Sequence, residues 1–227
     1  VREDLGKPDR AMARRGLGLD EREPVVLVTG GSQGARALNT IVPQALAALA
    51  HGGNGLPAPR ALQVLHLSGI GNDAEVRRAY GAITANLRLQ VRPVASDMDC
   101  MYAAADLVIC RGGGTTVAEL TVVGRPAVIV PYPHHRDQQQ LRNAEVLAAA
   151  GAAQILAERD LDAPSLARRL ADLLADREAL AAMGERARAV RTADPTTRIL
   201  DEMGIDALRP AVDAGAAPQP WRSEGAA

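Results

Sequence analysis

The run Val25-Val26-Leu27-Val28-Thr29-Gly30-Gly31-Ser32-Gln33-Gly34-Ala35 decides the reading of this chain. A short apolar stretch, mostly β-branched, ends in a glycine-rich turn, and an Ala/Leu-rich segment follows at once. A strand apolar at every position is one buried on both faces, as in a parallel sheet covered by crossover helices. Glycine in the turn lets backbone N–H groups approach an anion closely, and the N-terminus of the next helix adds partial positive charge. A tight strand-to-helix turn with no ligand uses the same residues, so this loop alone does not decide function.

The pattern repeats outward from this unit. Apolar runs predict strands over Val25 to Thr29, Leu62 to Leu67, Leu87 to Val91, Leu107 to Cys110, Ala127 to Val130 and Ala153 to Leu156. Between them, helices are expected over Gly34 to Ala50, Asp73 to Ala82, Asp97 to Ala104, Thr116 to Val123 and Gln138 to Ala150. The fold class is therefore α/β, a doubly wound Rossmann-like parallel sheet of strand order 3-2-1-4-5-6, with ligands at the carboxyl ends of strands where the winding reverses. His51 to Arg60 has the composition of a surface loop. Asp162 and Asp176 are placed to cap two late amphipathic helices, the first with a proline in its first turn and the second running to about Val190. A short helix is expected around Thr196 to Met203, and the Ala/Pro/Gly-rich end from Arg209 is expected to be disordered. Residues 1–206 would thus form one domain and 207–227 a tail.

Composition narrows the function. With 227 residues and 47% hydrophobic content, the chain builds a core without disulfides or a structural metal. A net charge of −1 offers no global field for nucleic acid or anionic lipid. Phenylalanine is absent and there are one tryptophan and three tyrosines, so stacking platforms for single-stranded nucleic acid are missing. Cys100 and Cys110 are too few for a secreted disulfide framework and fit a reducing, cytosolic setting. No apolar run reaches the roughly 18 residues of a membrane span, and Val1-Arg2-Glu3-Asp4 has no signal-peptide character. The chain opens without Met, as a piece of a longer protein would.

A second loop, Arg111-Gly112-Gly113-Gly114-Thr115-Thr116, follows the fourth strand and opens the helix bearing Glu119. In the expected order the first and fourth strands are neighbours, so both loops face one crevice, and two anion cradles there suggest a diphosphate. Glu119, expected in the first turn of its helix, can accept hydrogen bonds from two ribose hydroxyls, or can simply favour the helix dipole. Thr115 and Thr116 either donate to phosphate or cap the helix. A nicotinamide-dependent oxidoreductase would need G-x-G-x-x-G and an acid at the end of the second strand. Here the loop is G-G-S-Q-G-A and the second strand ends His66-Leu67-Ser68-Gly69, with no acid. A third segment, Pro131 to Gln140, gathers donors and acceptors suited to a sugar, solvated loop residues being the alternative. His134 and His135 lack the spaced third ligand of a metal site.

Jointly, V-L-V-T-G-G-S-Q-G-A-R-A-L-N, A-D-L-V-I-C-R-G-G-G-T-T-V-A-E-L and D-Q-Q-Q-L-R-N-A resemble the carboxyl-terminal, donor-binding domain of the MurG family. These are GT-B-type glycosyltransferases of peptidoglycan synthesis, the undecaprenyl-diphospho-muramoylpentapeptide N-acetylglucosaminyltransferases. The resemblance runs from Val1 to about Met203, and Val1-Arg2 looks like the family's Asn-Pro-Val-Arg segment cut in its middle, at the linker between two domains. It implies that Gly31, Ser32, Gln33 and Gly34, with Gly114, Thr115 and Thr116, surround uridine diphosphate. Glu119 would bind the ribose hydroxyls, and Ala95 would lie beside uracil through its backbone. Asp137, Gln139 and Gln140 match the family's sugar-reading D-x-Q-Q stretch, and Arg2 matches an arginine near the nucleotide. The chain departs from the family at Arg111-Gly112-Gly113, at Val94, where an aromatic can stand, and in a His134-His135 loop one residue longer.

The implied reaction is inverting transfer of N-acetylglucosamine from UDP-N-acetylglucosamine to a lipid-linked muramoyl-pentapeptide, yielding lipid II and UDP, with no cofactor and no metal. In the family the acceptor site, the general base and the membrane-facing patch belong to an amino-terminal domain, so this chain alone is expected to bind donor and turn over poorly. The assembled enzyme would sit on the cytoplasmic face of the inner membrane. A transferase with another lipid or natural-product acceptor is the first alternative. The second is a noncatalytic donor-binding subunit with a separately encoded acceptor partner.

Overall fold

Alternate residues of the first strand go to opposite layers, as expected for a strand covered on both sides. In the computed structural model, which describes residues 5–52, 61–81, 86–134 and 136–190, Val25 and Leu27 pack into one hydrophobic layer and Val26 and Val28 into the other. Arg2, His135, most of the His51–Arg60 segment, the helix expected near Thr196 and the 206/207 boundary lie outside the described residues.

Six strands, β1 (Val25–Thr29), β2 (Leu62–Leu67), β3 (Leu87–Arg92), β4 (Leu107–Cys110), β5 (Ala127–Ile129) and β6 (Ala153–Ile155), form one sheet in the order β3-β2-β1-β4-β5-β6. Every pairing is parallel. The helices are α1 (Arg10–Gly16), α2 (Arg36–His51), α3 (Asp73–Ala79), α4 (Met98–Ala104), α5 (Gly114–Val123), α6 (Gln139–Ala149), α7 (Ala163–Ala175) and α8 (Arg177–Ala189). Buried residues of α2, α3 and α7 share one layer, and those of α1, α4, α5 and α6 share the other. The chain therefore leaves β1 toward one face and β4 toward the opposite face, which opens a crevice between the adjacent ends of these two strands.

Aspartates stop and start the late helices as expected. Asp162 accepts from Ser165 N at 2.9 Å to cap α7, and Asp176 accepts from Ala179 N at 2.8 Å to cap α8. Sequence reasoning missed α1, whose polar composition hid a capped turn: Asp9 Oδ1 accepts from Ala11 N and Met12 N. Arg14, fully buried, fastens this helix to the sheet. Its guanidinium donates to the carbonyls of Ala104, Glu21 and Glu23 and, at 2.7 Å, to Asp106, whose carboxylate also accepts from Val25 N.

Candidate functional site

The carboxyl ends of β1, β4 and β5 stop at one level. Thr29 pairs with Cys110, and Cys110 with Ile129, so the loops that follow all rise from the same edge of the sheet. The first loop is held from the side of β2. Ile70 N donates to the Ser32 carbonyl at 3.2 Å and Asn72 Nδ2 to the Gln33 carbonyl at 3.3 Å, while within the loop Gly34 N donates to the Gly31 carbonyl at 2.9 Å. A trans peptide sets its N–H opposite its C=O. Because the Ser32 carbonyl faces the β2 loop, the Gln33 N–H is turned away from it. Gly34 sits at φ +75°, and a Cβ there would lie 2.0 Å from the Ser68 carbonyl oxygen, so only glycine lets the loop close on this post.

Both glycine loops feed helices whose amino ends carry no side-chain cap. Ala35 precedes α2 and Gly113 precedes α5, and neither contributes a side-chain hydrogen bond. Asp9, Asp162 and Asp176 cap α1, α7 and α8 with carboxylates, while α3, α4 and α6 are without a side-chain cap like α2 and α5. The first N–H groups of a helix have no partner within it, so an uncapped, solvent-facing turn presents donors and partial positive charge together. Gly31, Ser32, Gln33, Gly114 and Thr115 are exposed, and Gly34 and Thr116 half-buried. Thr115 and Thr116 do not cap α5. The helix starts at Gly114, two residues earlier than expected, and both threonines lie within its first turn.

The same early start corrects Glu119, which falls in the second turn of α5 and not the first. It is 9% exposed, and the Tyr102 hydroxyl of α4 donates to its Oε2 at 2.9 Å. A macrodipole preference does not account for an acid one turn further in and largely buried. Tyr102 is held in turn by Arg125, which donates to the Tyr102 and Ala103 carbonyls at 2.8 and 2.9 Å; burial pushes that guanidinium down to about 10. Ala95, half-buried between β3 and α4, packs on the hydrophobic layer that contains Tyr102, Val117 and Leu120. The fold thus brings Ala95 and Glu119 to the same layer.

The third segment is fastened to the second glycine loop. A Cβ on Gly112 would lie 2.1 Å from the Gln140 carbonyl oxygen, and Asn143 Nδ2 donates to the Gly112 carbonyl at 3.0 Å. Asp137 and Gln139 are exposed, Asp137 Oδ1 accepting from Gln139 N at 3.2 Å. Gln140 Oε1 accepts from Tyr132 N at 3.0 Å, so its amide oxygen braces its own loop. Between them Gln138 adopts φ +49°, the only non-glycine with positive φ among the described residues, and such a conformation persists where surrounding structure imposes it. Arg111 is engaged by neighbouring protein groups. It donates to the Val130 carbonyl, pairs with Glu158 at 2.6 Å and lies 5.6 Å from the Tyr132 ring centroid. His134 stacks edge-on against Tyr132.

Sequence reasoning also missed three polar residues behind the first loop, Asn39, His66 and Tyr80. His66 is 1% exposed, bonds Tyr80 at one ring nitrogen and Asn39 at the other, and burial pushes it down to about 4. A polar residue at the otherwise apolar end of β2 was the signal available in the sequence. The described residues contain no cluster of three or more metal-binding side chains and no helix long and apolar enough to cross a membrane. At the opposite edge of the sheet, a cavity of about 190 Å³ is lined by Arg10, Asp106, Arg125, Arg177, Glu185 and Arg188. Arg125, Arg177 and Arg188 donate to main-chain carbonyls there, fastening elements together.

Two open glycine loops stand at the switch point of a doubly wound parallel sheet, with a buried acid in the second turn of the helix after the second loop, an arrangement of the Rossmann-like class. Residues 25–199 match the Glycosyltransferase family 28 C-terminal domain. The chain belongs to that family. It is 48% identical over 195 residues to the UDP-N-acetylglucosamine–N-acetylmuramyl-(pentapeptide) pyrophosphoryl-undecaprenol N-acetylglucosamine transferase of Halorhodospira halophila, covering 86% of this chain and 51% of that protein. The enzyme of the same name from Shewanella piezotolerans is 38% identical over 202 residues, with 87% and 53% covered. Among solved structures, Acinetobacter baumannii MurG superimposes with a TM-score of 0.74 at 32% identity, over 90% of this chain and 55% of that one. WaaG, a glycosyltransferase of lipopolysaccharide biosynthesis, shares the fold at 18% identity and a TM-score of 0.59. The chain spans about half the length of the curated relatives it matches. Its doubly wound parallel sheet is one half of a GT-B architecture.

Proposed function

We propose that this chain is the donor-binding part of an inverting hexosyltransferase that moves N-acetylglucosamine from UDP-N-acetylglucosamine to a lipid-linked muramoyl-pentapeptide. The observation that carries the reading is the pair of uncapped glycine loops that follow β1 and β4, strands that end in register, the second loop opening the helix that bears the buried Glu119. The names of the relatives supply the donor and acceptor classes.

In this reading the pyrophosphate lies across the crevice. The Gln33 amide and the first-turn amides of α5 donate to it, and Thr115 and Thr116 add hydroxyls. Glu119, steadied by Tyr102, accepts from the ribose hydroxyls, and Ala95 meets uracil through its backbone. Asp137, Gln139 and Gln140 read the sugar, which the Gly112–Gln140 contact holds against the phosphate loop. When the anomeric bond breaks, the electron pair moves to the leaving phosphate oxygen, and fixed amide dipoles aimed at that oxygen stabilise the growing charge. Amides and helix ends do this without a metal ion. Arg2 is assigned to the nucleotide by its match to the family's arginine alone. The acceptor hydroxyl gives its proton to a base outside these residues, and the assembled enzyme works peripherally at the cytoplasmic membrane face.

Isothermal titration of the chain with UDP and UDP-N-acetylglucosamine tests this. Saturable binding of both, undiminished by a chelator, is expected. Well-folded protein that binds neither contradicts the reading.

A further inference from the structure

The first glycine loop rests on a chain of hydrogen bonds that starts at the buried Tyr80 and ends at the Ser68 carbonyl beside the loop. Tyr80, the C-cap residue just after α3 and 2% exposed, lies 2.9 Å from His66 Nδ1. His66 Nε2 lies 3.1 Å from Asn39 Oδ1 of α2, and Asn39 Nδ2 donates to the Ser68 carbonyl at 2.8 Å. Directions follow from the last bond. With its amide nitrogen committed to Ser68, Asn39 offers only its oxygen to His66, so Nε2 carries the proton and Nδ1 accepts from the Tyr80 hydroxyl. Each group is matched: a phenol donor, a neutral imidazole, an amide and a carbonyl. Burial keeps Tyr80 protonated and His66 neutral, as this arrangement needs.

The end of the chain is the Ser68 carbonyl, against which Gly34 closes with no room for a Cβ. Asn72 Nδ2 also reaches it at 3.1 Å and bonds the Gln33 carbonyl, and the neighbouring Ile70 N–H holds the Ser32 carbonyl. Moving Ser68 therefore moves the Ser32–Gln33 peptide, whose N–H is turned away from the β2 loop, while the Gly34 N–H stays bonded to the Gly31 carbonyl. Fully matched buried networks fix one geometry, and a donor array pays back only when its dipoles are already aimed.

We infer that Asn39, His66 and Tyr80 are positioning residues, which act through the Ser68 carbonyl to aim the first glycine loop at the diphosphate of the bound nucleotide. The inference rests on the nucleotide reading above. It assigns the relay to the phosphates, and leaves the nucleoside to Ala95 and Glu119 on the other side of the crevice.

The experiment compares UDP with uridine. For the wild-type chain, Tyr80→Phe, Asn39→Ala, His66→Ala and His66→Gln, affinity for each is measured by titration monitored with NMR. Tyr80→Phe and Asn39→Ala should weaken UDP roughly 3- to 10-fold, the value of about one hydrogen bond. Uridine affinity should stay within about twofold, because the nucleoside does not touch this loop. His66→Gln keeps a donor near the Nε2 position and should restore most of the UDP affinity lost in His66→Ala. In the wild type, the imidazole ¹⁵N spectrum should show the neutral Nε2–H form, with His66 resonances that shift on adding UDP and not on adding uridine. That spectrum needs no variant to fold. Variants that bind UDP as the wild type does, equal losses for UDP and uridine, or a His66 ring indifferent to UDP would overturn the relay. A wild-type chain that binds neither ligand rejects the nucleotide reading itself, and is recognised before any variant is made.

Discussion

The Asn143 side chain donates to the Gly112 carbonyl at 3.0 Å, tying the helix after the third segment to the loop after β4. Two segments separated in sequence are thereby one unit, and what disturbs Gly112 disturbs the start of α6. Gly112→Ala would push a Cβ against the Gln140 backbone, which cannot swing aside as a side-chain tip does. We expect UDP-N-acetylglucosamine to lose more affinity than UDP in this variant, and Asn143→Ala to do the same at about 1 kcal/mol, read by parallel titrations.

Glu119 and Gln139 should separate by ligand. Glu119→Ala removes the acceptor assigned to the ribose, so every uridine nucleotide should weaken by about 1–3 kcal/mol. Gln139→Ala should spare UDP and weaken only ligands that carry the sugar. Equal effects of both substitutions on both ligands would count against the division of roles.

Folding stability should depend on pH through His66. The native ring titrates near 4, below its ordinary value of 6.5, because it is buried. Between these values the unfolded chain holds a proton that the native protein lacks, so stability is fully present above about 6.5 and falls as pH drops toward 4. The total loss is about 3 kcal/mol at 1.4 kcal/mol per unit of pH. Denaturant melts from pH 7 to pH 4 read it directly, and His66→Gln should flatten the slope. The lowered carboxyls of Asp20 and Asp162 act in the same sense only at still lower pH.

Arg14→Ala should be far more costly than its place in a polar segment suggests. It strips Asp106 of a buried partner and leaves the carbonyls of Ala104 and Glu23 without this donor. Asp106 keeps Arg10 and the Val25 N–H, so the loss should fall below the roughly 3–5 kcal/mol of a buried pair left with one uncompensated charge. Urea melts of wild type and variant, at constant m-value, provide the measurement.

The sheet was legible because its strands are buried on both faces and each apolar run stops at glycine, proline or a polar cluster. β1, β2 and β4 coincide with their expected bounds, and the strand order follows from handed crossovers. Helix α1 was not legible, since Arg14 looks solvated in sequence and is buried only because Asp106, ninety-two positions away, meets it. The glycine loops announced themselves by composition, but the start of α5 did not. Three glycines in a row allow the helix to begin at any of them, and that choice decides whether Glu119 stands in the first turn or the second. Asn39, His66 and Tyr80 come from three elements, and no spacing in the chain reveals that they touch.

The most direct test of the account is a crystal structure of the chain with UDP. It should show the pyrophosphate within hydrogen-bonding distance of the Gln33, Thr115 and Thr116 amides, and the ribose hydroxyls on Glu119. UDP bound away from the β1–β4 crevice, for instance in the arginine-lined cavity at the opposite edge of the sheet, would contradict it.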